Sequence, residues 1–171
     1  MLQLYLMKQP ELEVIKKIHR LFKDKGLTLS VAESCTGGLI SSYLTDLPGA
    51  STFFMAGMVP YSKDIKKDIL GISPNTILRY GAVSKETARE MAEKVRLLAK
   101  TDYSLSTTGN LGSDVLEGKE QGLVYMAVST QGKTMSHELR LKGNRNANKE
   151  EASVSALGFL VKLVEKHGKD T

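Results

Sequence analysis

The chain has 171 residues, 41% of them hydrophobic and 25% charged, with a net charge of +5, one cysteine and no tryptophan. That length and balance fit a single soluble globular domain and exclude a disordered chain, while one cysteine excludes a disulfide framework and a Cys-rich zinc site. The positive charge does not amount to a nucleic-acid footprint, because lysines alternate with acids, as in Lys63-Asp64-Ile65-Lys66-Lys67-Asp68, and four Phe and six Tyr are too few for a base-stacking surface.

Residues 1–8 lack a basic n-region and a small-residue cleavage site, so no signal peptide is read. No apolar run reaches the length of a membrane span, and a cytoplasmic location is the default expectation. Residues 10–25 then read as a helix: Val14, Ile15, Ile18, Leu21 and Phe22 share one face, with Pro10 in the first turn and Gly26 at the end. Residues 27–32 are strand-like, and 38–47 form a helix that stops at Pro48-Gly49. Residues 53–59 form an apolar run ahead of Pro60, expected to be a buried strand.

Ser62 caps a short helix through Leu70. Residues 73–80 give another helical turn or two, and Ser84 caps a longer helix through Lys100 with Ala88, Met91, Ala92, Val95 and Leu98 inward. Residues 103–107 are strand-like and 109–121 are a polar loop. Residues 122–130 and 135–141 read as a hairpin around Gln131-Gly132-Lys133, and the last helix covers 147–167 with Ala152, Ser155, Ala156, Phe159, Leu160 and Leu163 inward. Strands alternating with helices and then a hairpin predict a single-domain α/β sandwich with a mixed sheet, its core spanning about residues 10–167.

The segment Ala32-Glu33-Ser34-Cys35-Thr36-Gly37-Gly38 sits where a strand hands over to a helix. A hydroxyl, a thiol and two glycines there can present a nucleophile and offer bare N–H groups to an anion. They equally suit a tight turn with a polar cap, and on these residues alone both readings stand. Cys35 is the rival nucleophile, although a lone cysteine beside a strand is commonly a small buried residue. His19, His137 and His167 lie in unrelated contexts and read as structural or surface residues. Asp114, Glu117 and Glu120 share one loop without regular ligand spacing, so they read as a solvated face rather than a metal site.

Several segments together resemble the C-terminal domain of the competence/damage-inducible CinA proteins, the nicotinamide mononucleotide deamidase family. They are residues 31–39, 44–51, 57–62 with Lys66, 70–72, 81–84, Thr107-Thr108-Gly109 and Gly143-Asn144-Arg145, in the family's order. The resemblance implies a three-layer α/β/α sandwich. It also implies hydrolysis of the carboxamide of nicotinamide mononucleotide, without metal or cofactor, to nicotinic acid mononucleotide and ammonia. The match places Ser34 as nucleophile and Lys66 as its base, with Tyr61 able to relay a proton or orient that amine.

Thr36, Gly37 and Gly38 are expected to supply backbone donors either to the 5′-phosphate or to the reacting amide oxygen, and Thr108, through its hydroxyl, and Gly109 to line the same pocket. Arg145 would clamp phosphate, and Glu33 would orient Lys66 or the turn. A homodimer is implied, together with a stand-alone form without the additional N-terminal domain of larger relatives. Departures from the family pattern lie at Gly109-Asn110-Leu111-Gly112-Ser113-Asp114, at Asn144, at Lys149 in place of an arginine, and at Pro60 and Lys63. They put the ligand in question more than the nucleophile and base. The alternative is a catalytically silent nucleotide-binding or competence-associated protein of the same fold.

Overall fold

The apolar residues that give the first helix its periodicity are the ones it buries. In the computed structural model, which describes residues 9–167, α1 (Gln9–Lys25) sinks Ile15, Ile18 and Phe22 completely and ends at Gly26 with φ +61°. β1 (Leu29–Glu33) follows, then α2 (Leu39–Thr45), a 3-10 turn at Ala50–Thr52 and β2 (Phe54–Met58). Next come α3 (Lys63–Asp68), α4 (Pro74–Tyr80), α5 (Lys85–Ala99), β3 (Tyr103–Gly109), β4 (Leu123–Thr130), β5 (Lys133–Arg140) and α6 (Arg145–His167). The stretch 1–8, read above for a signal peptide, and the side chain of His167 lie outside the described residues.

The five strands make one mixed sheet in the order β2-β1-β3-β4-β5. β1 pairs in parallel with β2 and with β3, while β3–β4 and β4–β5 are antiparallel. After β1 the chain leaves to one side and, after β2, returns to the other. The crevice at such a switch point opens at the carboxyl ends of the parallel strands, where sheets of this type bind ligands. Glu33, Met58 and Gly109 are the last residues of those three strands.

Strand alternation divides the residues between two helical layers. Leu29, Val31 and Leu105 join the main core with α1, α2 and α6, whereas Ala32 packs with Met91 and Val95 of α5 on the opposite face. α5 lies close to the sheet because small residues face it. Ser30, Ser104 and Ser106 donate hydroxyl protons to the carbonyls of Val95, Ala92 and Ala88, at 3.3, 2.6 and 2.6 Å. These bonds satisfy polar groups that would otherwise be buried unpaired. The three-layer sandwich is therefore the observed architecture.

Three expectations are corrected. Residues 54–58 form an edge strand rather than a buried one, with Met55 and Val59 each 46% exposed. Leu98 is 60% exposed because α5 turns it away from the sheet, and Ser155 of α6 is only half-buried, whereas Phe159 packs against the main core as expected. The hairpin loop has two residues, Gln131 and Gly132, with Lys133 already paired to Thr130 and Gly132 at φ +83°. Among the described residues, no helix is long and apolar enough to cross a membrane.

Candidate active site

β1 delivers Glu33 to the end of the sheet as a fully buried carboxylate. Its Oε2 accepts from the N–H groups of Gly38 and Ile40 at 3.0 and 3.1 Å, and its Oε1 from the N–H and hydroxyl of Ser41 at 2.8 and 2.7 Å. Those N–H groups are the orphan donors at the start of α2, and an anion there also meets the positive end of the helix dipole. Gly37 and Gly38 have φ of +59° and +97°, a region open mainly to glycine. Ser34, between these fixed points, donates its N–H to Thr107 O at 2.9 Å and receives Gly37 N–H on its own carbonyl at 3.2 Å.

Ser62 caps α3 by accepting from Ile65 N–H at 3.1 Å, and Lys66 follows one turn later with 1% of its surface exposed. Its Nζ lies 2.8 Å from Ser34 Oγ, 2.8 Å from Pro60 O and 3.0 Å from Tyr61 O. Burial pushes the lysine down from 10.5 to about 8, against the opposing pull of Glu117. A charged Lys66 donates to all three oxygens. When neutral, it keeps two N–H bonds on the carbonyls and turns its lone pair to Ser34 O–H. The site therefore holds an amine poised to take a hydroxyl proton near neutral pH.

Cys35 behaves differently. Burial pushes its thiol up to about 12, with the Thr107 hydroxyl pulling the other way, so it stays protonated. It packs with Leu111, Val124, Leu141 and Ala152. It also lines a cavity of about 350 Å³ with Tyr61, Gly109, Leu111, Asp114 and Arg145. Arg145, the first residue of α6, donates from Nη2 to Tyr61 Oη at 3.1 Å. One turn along, Lys149 Nζ lies 3.4 Å from where a Cβ on Gly37 would sit. Arg145 gives the cavity a capacity for anionic oxygens, and Lys149 stands beside the glycine turn.

Residues 11–164 match the family model of the CinA C-terminal domain. The chain belongs to that family. It is 43% identical over 163 residues to a protein of Caldanaerobacter subterraneus subsp. tengcongensis named as competence-damage inducible, covering 95% of this chain and 39% of that one. A Bacillus subtilis protein of the same name is 41% identical over 152 residues, covering 89% and 36%. The chain thus spans less than half the length of these curated relatives. Among solved structures, a CinA superfamily protein from Enterobacter cloacae superposes with TM-score 0.87 at 35% identity, covering 90% of this chain and 92% of that one. The competence/damage inducible protein CihA from Agrobacterium tumefaciens gives 0.88 at 34% identity, covering 92% and 98%.

Within this CinA domain several expected roles are redistributed. Glu33 contacts neither Lys66 nor the cavity, because its carboxylate is filled by the start of α2. The Thr36 hydroxyl is bonded to Thr107 Oγ1 at 2.7 Å, Gly37 N–H goes to Ser34 O, and Gly38 N–H goes to Glu33. Among the described residues, the turn N–H groups of Cys35 and Thr36 make no hydrogen bond to another residue's backbone, and that of Cys35 faces its own thiol. Tyr61 orients the Lys66 amine through its carbonyl, while its hydroxyl faces Arg145. Thr108 does not offer its hydroxyl to the cavity. It stands in the same row as Ser104 and Ser106 and donates to Ala82 O at 2.7 Å. Gly109 does line the cavity, and a Cβ there would come within 2.6 Å of Leu123 O.

The three acids of the 109–121 loop are exposed residues, as the solvated reading expects, but their carboxylates diverge. Asp114 faces the cavity, Glu117 binds the corner before α5, and Glu120 pairs with Arg140. Among the described residues no three His, Cys, Asp or Glu side chains are grouped to hold a metal ion. His19 bonds Leu44 O at 2.9 Å through Nε2 and sits edge-on to Phe53, a packing role, and His137 lies against Phe159 on β5.

Two asparagines escaped the sequence reading. Asn110 accepts from Leu116 N–H at 3.0 Å and donates to the carbonyls of Leu116 and Lys119, shaping the loop from within. Asn148 is fully buried; it accepts from Gly143 N–H and donates to Leu111 O and Gly143 O, tying the loop to α6. The only hint in the sequence is a polar residue on the inward face of a helix, which does not say what it binds.

Proposed function

We propose that this domain is an amidohydrolase that converts nicotinamide mononucleotide to nicotinic acid mononucleotide and ammonia, with Ser34 as nucleophile and Lys66 as general base. The observation that carries the reading is the buried amine 2.8 Å from a serine hydroxyl, held down to about 8 by burial. A serine is weak until a neighbouring base removes its proton, and a desolvated lysine is such a base. Neutral Lys66 takes the Ser34 proton as Oγ adds to the carboxamide carbon. The N–H groups of Cys35 and Thr36 suit the oxygen that becomes negative. Protonated Lys66 then returns the proton to the amide nitrogen, the C–N bond breaks, and ammonia leaves. Water, deprotonated by the same amine, hydrolyses the acyl-serine and restores both groups.

Arg145 and Lys149 are the cations offered to the phosphate end of the substrate. The test is incubation with nicotinamide mononucleotide, scored by chromatography for nicotinic acid mononucleotide and by coupled assay for an equal amount of ammonia. A second reading, nucleotide binding without turnover, draws on the Asp114 carboxylate in the cavity and on Arg145 being engaged by Tyr61. Calorimetric binding with no product after prolonged incubation would favour it. The family reading also carries a homodimer, for which light scattering should return twice the monomer mass of 18.7 kDa.

A further inference from the structure

The 110–122 loop reaches the helix that carries Lys66 through an ionic contact. Glu117, its side chain 16% exposed, accepts from Lys63 Nζ at 2.8 Å, from Ala82 N–H at 2.7 Å and from Val83 N–H at 3.2 Å. Lys119 closes the same corner by donating to Tyr80 O and Val83 O. Gly81 leaves the room: a Cβ there would overlap the Glu117 carboxylate. Lys63 is the first residue of α3 and stands three residues before Lys66, on the same side of the helix. A few residues before Glu117, Asp114 and Leu116 line the cavity.

Lys66 is faced by groups from four elements. The turn after β1 contributes Ser34 and the protonated thiol of Cys35, and the β2–α3 connection contributes the carbonyls of Pro60 and Tyr61. α3 contributes Lys63, and the loop contributes Glu117. Of the groups that act on Lys66, only the last two carry full charge. Glu117 favours its ammonium and Lys63 opposes it, so the ion pair presents Lys66 with two opposing charges. We infer that Glu117 is a positioning residue which, paired with Lys63, ties the pocket loop to α3 and holds the charge balance at Lys66. A loop displaced by the wrong ligand would carry its carboxylate away from Lys63 and unbalance the base.

This inference rests on Lys66 being the base, and its test separates the two ideas. Lysine labelled with 13C at Cε is titrated by NMR in the full chain, with the Lys66 signal assigned by its loss in Lys66→Arg. Glu117→Gln keeps an acceptor for the two N–H groups but removes the charge. Lys63→Met alters a half-exposed side chain and keeps the carboxylate. Lys66 should titrate about half a unit lower in Glu117→Gln and about half a unit higher in Lys63→Met. Opposite shifts are not what a purely structural role produces. Midpoints that stay at the wild-type value, or move the same way in both variants, overturn the inference. The titration needs no substrate, so opposite shifts without mononucleotide turnover would retain the charge pair and reject the proposed function.

Discussion

The turn at residues 33–38 and the loop at residues 110–122 reach the same cavity, but they are fixed by different means. In the turn, one buried carboxylate takes four hydrogen bonds from the start of α2, and two glycines supply the required backbone. The loop is shaped by Asn110 at its base and anchored by Glu117 and Lys119 at a corner of another layer. The first arrangement holds Ser34 at a fixed place on the sheet. The second lets the cavity wall vary in sequence while Ser34 and Lys66 stay where they are.

Perturbing the turn side of the comparison should have the larger effects. Lys66→Met is expected to reduce turnover about 1,000-fold or more, as loss of a base from a nucleophile–base unit does. The same change should relieve the burial of a charge. With a folded value near 8 against 10.5 unfolded, the unfolded chain holds the extra proton between those pH values. The wild-type minus Lys66→Met stability difference should therefore rise from about pH 8 to 10.5, by roughly 3 kcal/mol at most, while Cys35, held at about 12, pulls both curves down alike above pH 9. Urea denaturation across that range reads both curves.

Glu33→Ala comes next, with an expected loss of roughly 3 kcal/mol in urea denaturation, because it strands four donors at the start of α2. On the loop side, Asn110→Ala should lose about 1–2 kcal/mol and raise KM more than it lowers kcat, since the cavity wall loosens while Ser34 and Lys66 stay in place. The smallest effect belongs to Glu117. Burial pushes its carboxyl up, but Lys63 and the Ala82 and Val83 N–H groups outweigh this and hold it at about 2 instead of 4.5. Its contribution is present above pH 4.5 and is lost as pH falls toward 2. The wild-type minus Glu117→Gln stability difference should shrink over that window.

What the sequence made legible was whatever depends on near neighbours. The stripe of α1, the serine caps of α3 and α5 and the strand-turn-helix at Ser34 all follow from local spacing and match the elements observed. What it hid depends on distant partners. For Glu33 the sequence leaves Lys66 and the turn both open, and only the N–H groups up to eight residues ahead, folding back onto it, decide for the turn. Thr108 reads as a pocket hydroxyl until strand parity puts it in one row with Ser104 and Ser106 under α5. Tyr61 draws attention by its phenol, whereas its carbonyl is what touches Lys66. The edge position of β2 is set by sheet order, which hydrophobicity alone does not specify.

The central claim is that Ser34, activated by Lys66, attacks an amide, and that its neighbour Cys35 does not. It is tested most directly by ammonia release from nicotinamide mononucleotide at pH 8, measured side by side for the wild type, Ser34→Ala and Cys35→Ser. Release by the wild type and by Cys35→Ser, with Ser34→Ala lower by about 1,000-fold or more, is the predicted result. Full activity in Ser34→Ala, or a loss confined to Cys35→Ser, would contradict it.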